Sequence, residues 1–201
     1  MSITTGPGSW IAPDTVFSGS AQIGFCSCIG YGSAPPDPTY VGNGVEIGSF
    51  SIIARGARIE DSVVVDHYCR IGGGSRIGRK TKILYGAQIF DDVTIGEHCI
   101  IAGHVIDRST VEDFVTYSGD MAHLHADPTG DWDTTEEPSP VIRRGSVVGV
   151  GALIVGAVSI GPCAYVGAGE VVRTNIPERS VLLNGVLKPL AAYLGMIKVR
   201  C

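Results

Sequence analysis

Aromatic residues make up only 7% of this 201-residue chain, and its six cysteines include no CxxC pair. Cys26 and Cys28 stand too close for ordinary zinc pairing, and Cys69, Cys99, Cys163 and Cys201 are scattered, so no metal site is expected. Positive charge is also scarce. Fifteen Lys and Arg face 20 Asp and Glu, for a net charge of −5, which argues against nucleic acid or an anionic membrane as the main partner. The opening residues, MSITTGPGSWIAP, have neither a basic start nor an apolar run, so no signal peptide is expected there. A cytoplasmic protein with reduced thiols is the expectation that follows. The uncharged stretch 146–169 is long enough to span a bilayer. Its glycines and branched residues follow a six-residue beat instead of a helical face, so no membrane span is expected.

Glycine is what the chain has in abundance, with 28 residues, and the mean hydropathy is +0.25. That mixture suits stacked backbones better than an aromatic core, and the length suits one domain. Steps of six from Ile11 give Phe17, Ile23, Ile29, Pro35, Val41, Ile47, Ile53, Ile59, Val65, Ile71, Ile77, Ile83, Ile89, Ile95 and Ile101. Only Pro35 departs from an apolar side chain. Four residues after each of these stands a small one, from Thr15 through Ser51, Ser75 and Cys99 to Val105. A period of six cannot keep one face of an α-helix, because successive residues wander round its axis. A parallel coil with three flat faces can, with 18 residues per turn, the aliphatic pointing in, and Gly or Asn at corners that need φ > 0.

This pattern closely resembles the hexapeptide repeat of left-handed parallel β-helix proteins, over about residues 11–177. The resemblance implies an all-β solenoid domain over 1–187 and a short C-terminal helix or cap over 188–201, read from KPLAAYLGMIKV. The beat fails at Asp107, fades through RSTVEDFVTYSG, and resumes one residue out of phase at Ile142, Val148 and Ile154. Residues 117–141 therefore read as one long excursion loop. Its YSGDMAHLHADPTGDWDTTEEPSP holds two histidines, six acids and no base.

Within the family, the layout resembles the maltose and galactoside, xenobiotic and sugar N-acetyltransferases. They carry one long loop, a catalytic histidine, and then a stretch to which SPVIRRGSVVGVGALIVGAVSIGPCAYVGAGEVVRTNIP, 139–177, is similar. The resemblance implies a homotrimeric, acetyl-CoA-dependent acyltransferase acting on an amine or hydroxyl of a small acceptor, an amino sugar or sugar nucleotide being the first choice. His125, in His125-Ala126-Asp127-Pro128, matches the family's loop histidine as general base, with His123 second and Asp127 fixing its tautomer. His67, in VDHYCRIG, is similar to the proposed base of sugar N-acetyltransferases and stands third. The resemblance also implies coenzyme A along Val150, Ala168, Arg173, Thr174 and Lys188. His98 and His104, six apart, read as equivalent places on different faces and as structural residues. Two other classes remain open: a zinc hydrolyase like the γ-class carbonic anhydrases, and a non-catalytic scaffold.

Overall fold

The computed structural model describes residues 2–33, 36–125, 129, 137–193, 195–197 and 199. They form an all-β solenoid of about nine turns with parallel strands and almost no helix. Short strands assemble into three sheets of 11, 9 and 8 strands, here faces one, two and three, visited in that order on each turn. In the regular part the register repeats every 18 residues. On face one Val64 pairs with Lys82 and Lys82 with Ile100, and on face three Arg58 pairs with Arg76.

The six-residue beat is the packing of the interior. Ile53, Ile59, Ile71, Ile77, Ile83 and Ile89 are all 0% exposed, and those 18 apart stack in columns, Ile53 on Ile71 on Ile89 and Ile59 on Ile77. Beside them the small positions are buried too, and the polar ones tie neighbouring turns together. Ser75 Oγ donates to the carbonyl of Phe90 (2.7 Å) and accepts the N–H of Val93 (3.0 Å). Thr81 repeats this with Gly96 (2.8 Å) and Cys99 (3.0 Å), and Ser51 with Asp66 and Cys69. A buried hydroxyl with both roles satisfied costs little, which is why serine, threonine and alanine alternate freely at this position. Burial pushes the Cys99 thiol, in the same column, up to about 11.

The corners differ from expectation. Glycine is common there, but Phe50, Tyr68, His98 and Phe114 also adopt positive φ, between 57° and 61°. Such residues carry strain of about 1–2 kcal/mol, and here aromatic stacking offsets it. Phe50 stacks on Tyr68 at 5.0 Å between ring centroids, and His98 on Phe114 at 5.1 Å.

Four readings of the sequence need correction. First, the hexads counted through Pro35, which lies outside the described residues, are not all coil steps. Val16 pairs with Tyr40, Ala21 with Val45 and Cys28 with Ile52, each 24 residues on, so six extra residues stand between Ile29 and Val41 without disturbing the phase. Second, the beat does not fail at Asp107. Two corners each lose two residues, so the inward series runs Ile101, Val105, Val111, Tyr117, Met121. Residues 107–122 are ordinary coil, and among the described residues the next strand after Asp120–Ala122 is Val141–Ile142. Third, the described residues of 188–199 form no α-helix. Val186–Pro189 folds back as an antiparallel strand on Ser180–Leu183, and a four-residue 3-10 turn follows at Leu190–Tyr193. The open strand edge of Ser180–Leu183 offers hydrogen bonds that outweigh the helix propensity of this segment. Fourth, Cys163, half-buried on a corner at φ 54°, is disulfide-bonded, whereas Cys26, Cys28, Cys69 and Cys99 are free. Among the described residues no helix is long and apolar enough to cross a membrane, and residues 146–169 are coil strands.

Candidate active site

The two shortened corners share a sequence pattern, Ile101-Ala102-Gly103-His104-Val105 and Tyr117-Ser118-Gly119-Asp120-Met121. They lie one above the other on the edge between faces one and two. Gly103 has φ +81°, and a Cβ there would fall 2.0 Å from the carbonyl oxygen of Gly119. A Cβ on Gly119 would fall 2.4 Å from the carbonyl oxygen of Ala152. Only glycine lets three turns close at this distance.

Losing two residues brings the side chain after each glycine onto face two, in register. His104 pairs with Asp120 across adjacent strands, His104–Val105 and Asp120–Ala122. Its Nδ1 lies 2.5 Å from Asp120 Oδ1, and the same oxygen accepts the His104 backbone N–H at 3.2 Å. A carboxylate only accepts, so Nδ1 carries the proton and Nε2 keeps its lone pair. The two side chains are 52% and 49% exposed, open to a substrate on this face. Beneath them the Tyr117 hydroxyl donates to the His104 carbonyl (3.3 Å). Burial holds that phenol well above its ordinary range, so it stays neutral. A histidine held by a carboxylate, with its far nitrogen free, can take a proton from a nucleophile.

Sequence reading missed this pair. His98 and His104 are not equivalent: His98 stacks on a corner between faces three and one, while His104 stands on flat sheet. The signal was the repeated pattern of a bulky inward residue, a small one, Gly, a polar one and a bulky inward residue, Ile101 to Val105 and Tyr117 to Met121, with a step of four in place of six.

The other expected residues fall in three groups. At the downstream end of the Asp120 strand, His123 and His125 lie with ring centroids 5.9 Å apart. The His125 backbone N–H donates to Glu137 Oε2 (3.0 Å), and His123 Nδ1 stands 3.9 Å from that oxygen. Among the described residues the buried His123 Nδ1 has no hydrogen-bond partner, and His125 sits at φ 50°. Asp127 lies outside the described residues. His67 lies on the same edge between faces one and two, two turns before Gly103. Its Nδ1 accepts the Ser49 backbone N–H at 2.8 Å, so the neutral ring carries its proton on Nε2 and presents a donor. Val150 and Ala168 occupy the same edge as Gly119, one and two turns beyond it, and Val150 is 72% exposed. Arg173 and Thr174 are exposed after the face-two strand Val171–Val172, and Lys188 is exposed on the terminal antiparallel strand. No group of three His, Cys, Asp or Glu among the described residues could hold a metal ion.

No protein-family model matches the chain. The serine acetyltransferase of Buchnera aphidicola subsp. Acyrthosiphon pisum is 31% identical over 102 residues, 48% of this chain and 37% of that protein. The match thus spans little over a third of that relative's length. The structure of the Francisella novicida UDP-N-acetylglucosamine acyltransferase is similar with a TM-score of 0.74 at 15% identity, covering 92% of this chain and 69% of that one. LpxA from Acinetobacter baumannii follows with a TM-score of 0.73 at 16% identity, over 88% of this chain and 69% of that one. The chain shares their solenoid fold.

Proposed function

We propose that the protein is an acyltransferase, moving an acetyl or similar group from coenzyme A to an amine or hydroxyl of a small acceptor of the amino-sugar or sugar-nucleotide class. The observation that carries this reading is the His104–Asp120 pair. The left-handed hexapeptide solenoid of acyltransferases and the partial match to a serine acetyltransferase support it.

His104 Nε2 takes the proton of the attacking amine or hydroxyl. Asp120 holds Nδ1–H, fixes the tautomer and stabilises the imidazolium that forms. Coenzyme A supplies the acyl group as a thioester, whose C–S bond breaks as the new C–N or C–O bond forms, and His104 returns the proton to sulfur. The residues expected to bind it fit such a chain. A Cβ on Gly149 would fall 2.6 Å from Ala168 N, so the turns at Val150 and Ala168 meet through bare backbone. Arg173 and Lys188 are exposed cations for its phosphates.

The excursion histidines are the second reading, favoured by the buried, unpartnered Nδ1 of His123 and the strained backbone of His125 beside Glu137. His67, presenting a donor, ranks third. Thiol release with an amino-sugar acceptor decides among them. His104→Ala is expected to lower kcat by about 10²–10⁴ with the KM for acetyl-CoA little changed. If His125→Ala takes that loss and His104→Ala does not, the base lies in the excursion. Near-normal turnover in both variants, and in His123→Ala and His67→Ala as well, would remove an imidazole base altogether.

The same reading makes the protein a homotrimer. Outward Val64, Ile100, Val147 and Tyr165 stand half-buried along face one, with exposed Lys82 and half-buried Thr116 between them, a stripe suited to subunit contact, while face two keeps the polar pair. Sedimentation is expected to give a trimer. A stable monomer at micromolar concentration would leave face one without that role.

A further inference from the structure

Face three carries a second constellation, far round the prism from the histidine pair. Two arginines, Arg58 and Arg76, stand outward in direct register on neighbouring strands, about 4.8 Å apart at the backbone. Like charges opposite one another in a sheet are destabilising, so one acid between them is the usual remedy. Arg58 has its own partner: Nε donates to Glu60 at 2.7 Å, and the guanidinium lies 4.3 Å over the Tyr40 ring. Arg76 makes no ion pair among the described residues.

These side chains line a recess of about 470 Å³ with Val16, Tyr40, Gly56 and Gly74. Asp37 and Pro38 make one wall. Asp92 closes the rim opposite, its carboxylate lying over Gly74, where a Cβ would fall 2.1 Å from Oδ1. The volume falls within the range of small-molecule sites, about 300–1,000 Å³.

We infer that this recess binds a phosphorylated sugar, with the phosphoryl group on Arg76 and Arg58 and the sugar hydroxyls on Asp37 and Asp92. Adjacent guanidinium groups match the oxygens of a phosphate. Carboxylates at the rim would repel a bare anion but accept from hydroxyls, so the recess favours a sugar phosphate over free phosphate. The inference is independent of acyl transfer, because it concerns equilibrium binding on a different face.

Calorimetric titration of the intact protein with glucose 1-phosphate, inorganic phosphate and glucose tests it. Glucose 1-phosphate is expected to bind, and Arg76→Gln to weaken it by about tenfold or more. Arg79→Gln, a corner arginine paired with Glu97 (2.8 Å), is expected to change nothing. Asp37→Asn is expected to narrow the preference for glucose 1-phosphate over inorganic phosphate. Unchanged affinity in a folded Arg76→Gln protein would overturn the site, as would no binding of glucose 1-phosphate to the native chain. Equal binding of phosphate and glucose 1-phosphate would overturn the assignment of the sugar.

Discussion

The turns from Val41 to Ile101 and the turn that follows them, to Met121, are built from the same parts and do different things. In the first region every step is six residues, the inward isoleucines are fully buried, and each buried hydroxyl is satisfied by the next turn. Its outward residues stand wherever the 18-residue register puts them. In the second, two corners lose two residues each, glycines meet at backbone distance, and a histidine and an aspartate come into contact. Regularity yields stability without specificity, because every turn resembles its neighbours. A two-residue deletion, repeated one turn later, yields a geometry found nowhere in the uniform turns.

Paired substitutions can break this comparison. Ile77→Ala in the uniform region is expected to cost about 2–5 kcal/mol by chemical denaturation, since the cavity is walled by turns above and below. Activity per folded molecule should stay near native. Gly103→Ala is expected to cost about 2–3 kcal/mol, from positive φ and the clash with Gly119 O. It should also lower turnover, because the next residue is His104. Were Gly103→Ala to lose stability alone, the tight corner would be an accident of packing. Were Ile77→Ala to lose activity in proportion to Gly103→Ala, the two regions would not be separable at all.

What could be read beforehand divides along the same line. The solenoid was legible because the inward isoleucine and the small residue beside it recur in the sequence as they do in space. The insertion near 31–38 was hidden for the opposite reason: six extra residues restore the phase, so Pro35 looked like one poor hexad. The deletions at Gly103 and Gly119 each shift the phase by two, which reads as decay of the repeat from Asp107 and made residues 117–122 look like the start of the loop. Asp120 then seemed part of an irregular segment, and its contact with His104 depends on register between turns, which no local pattern carries. The terminal strand Val186–Pro189 was misread because Leu and Ala favour a helix locally, whereas the exposed edge of Ser180–Leu183 decides the outcome.

The smallest expected effect concerns the ordinary-looking edge of the insertion. Arg55 forms a two-pronged pair with Asp14, two turns away, and its Nη2 also donates to the Pro36 carbonyl at 3.3 Å, tying that end of the insertion to the coil. The hydrogen bond from Arg55 holds the Asp14 carboxyl below its ordinary value of 3.8. A carboxyl lowered in the folded state contributes stability that is complete above its unfolded pKa and lost as pH falls through the folded one. Because the pair is solvent-exposed, its contribution is screened and small. Thermal melts of the native protein and Asp14→Asn should therefore differ slightly at pH 6. The gap should close as pH drops below about 3.8, once the native carboxyl is protonated and the two side chains are alike in charge. A gap that persists unchanged into acid would mean that Asp14 anchors the insertion by packing, and that the charge pair with Arg55 contributes nothing.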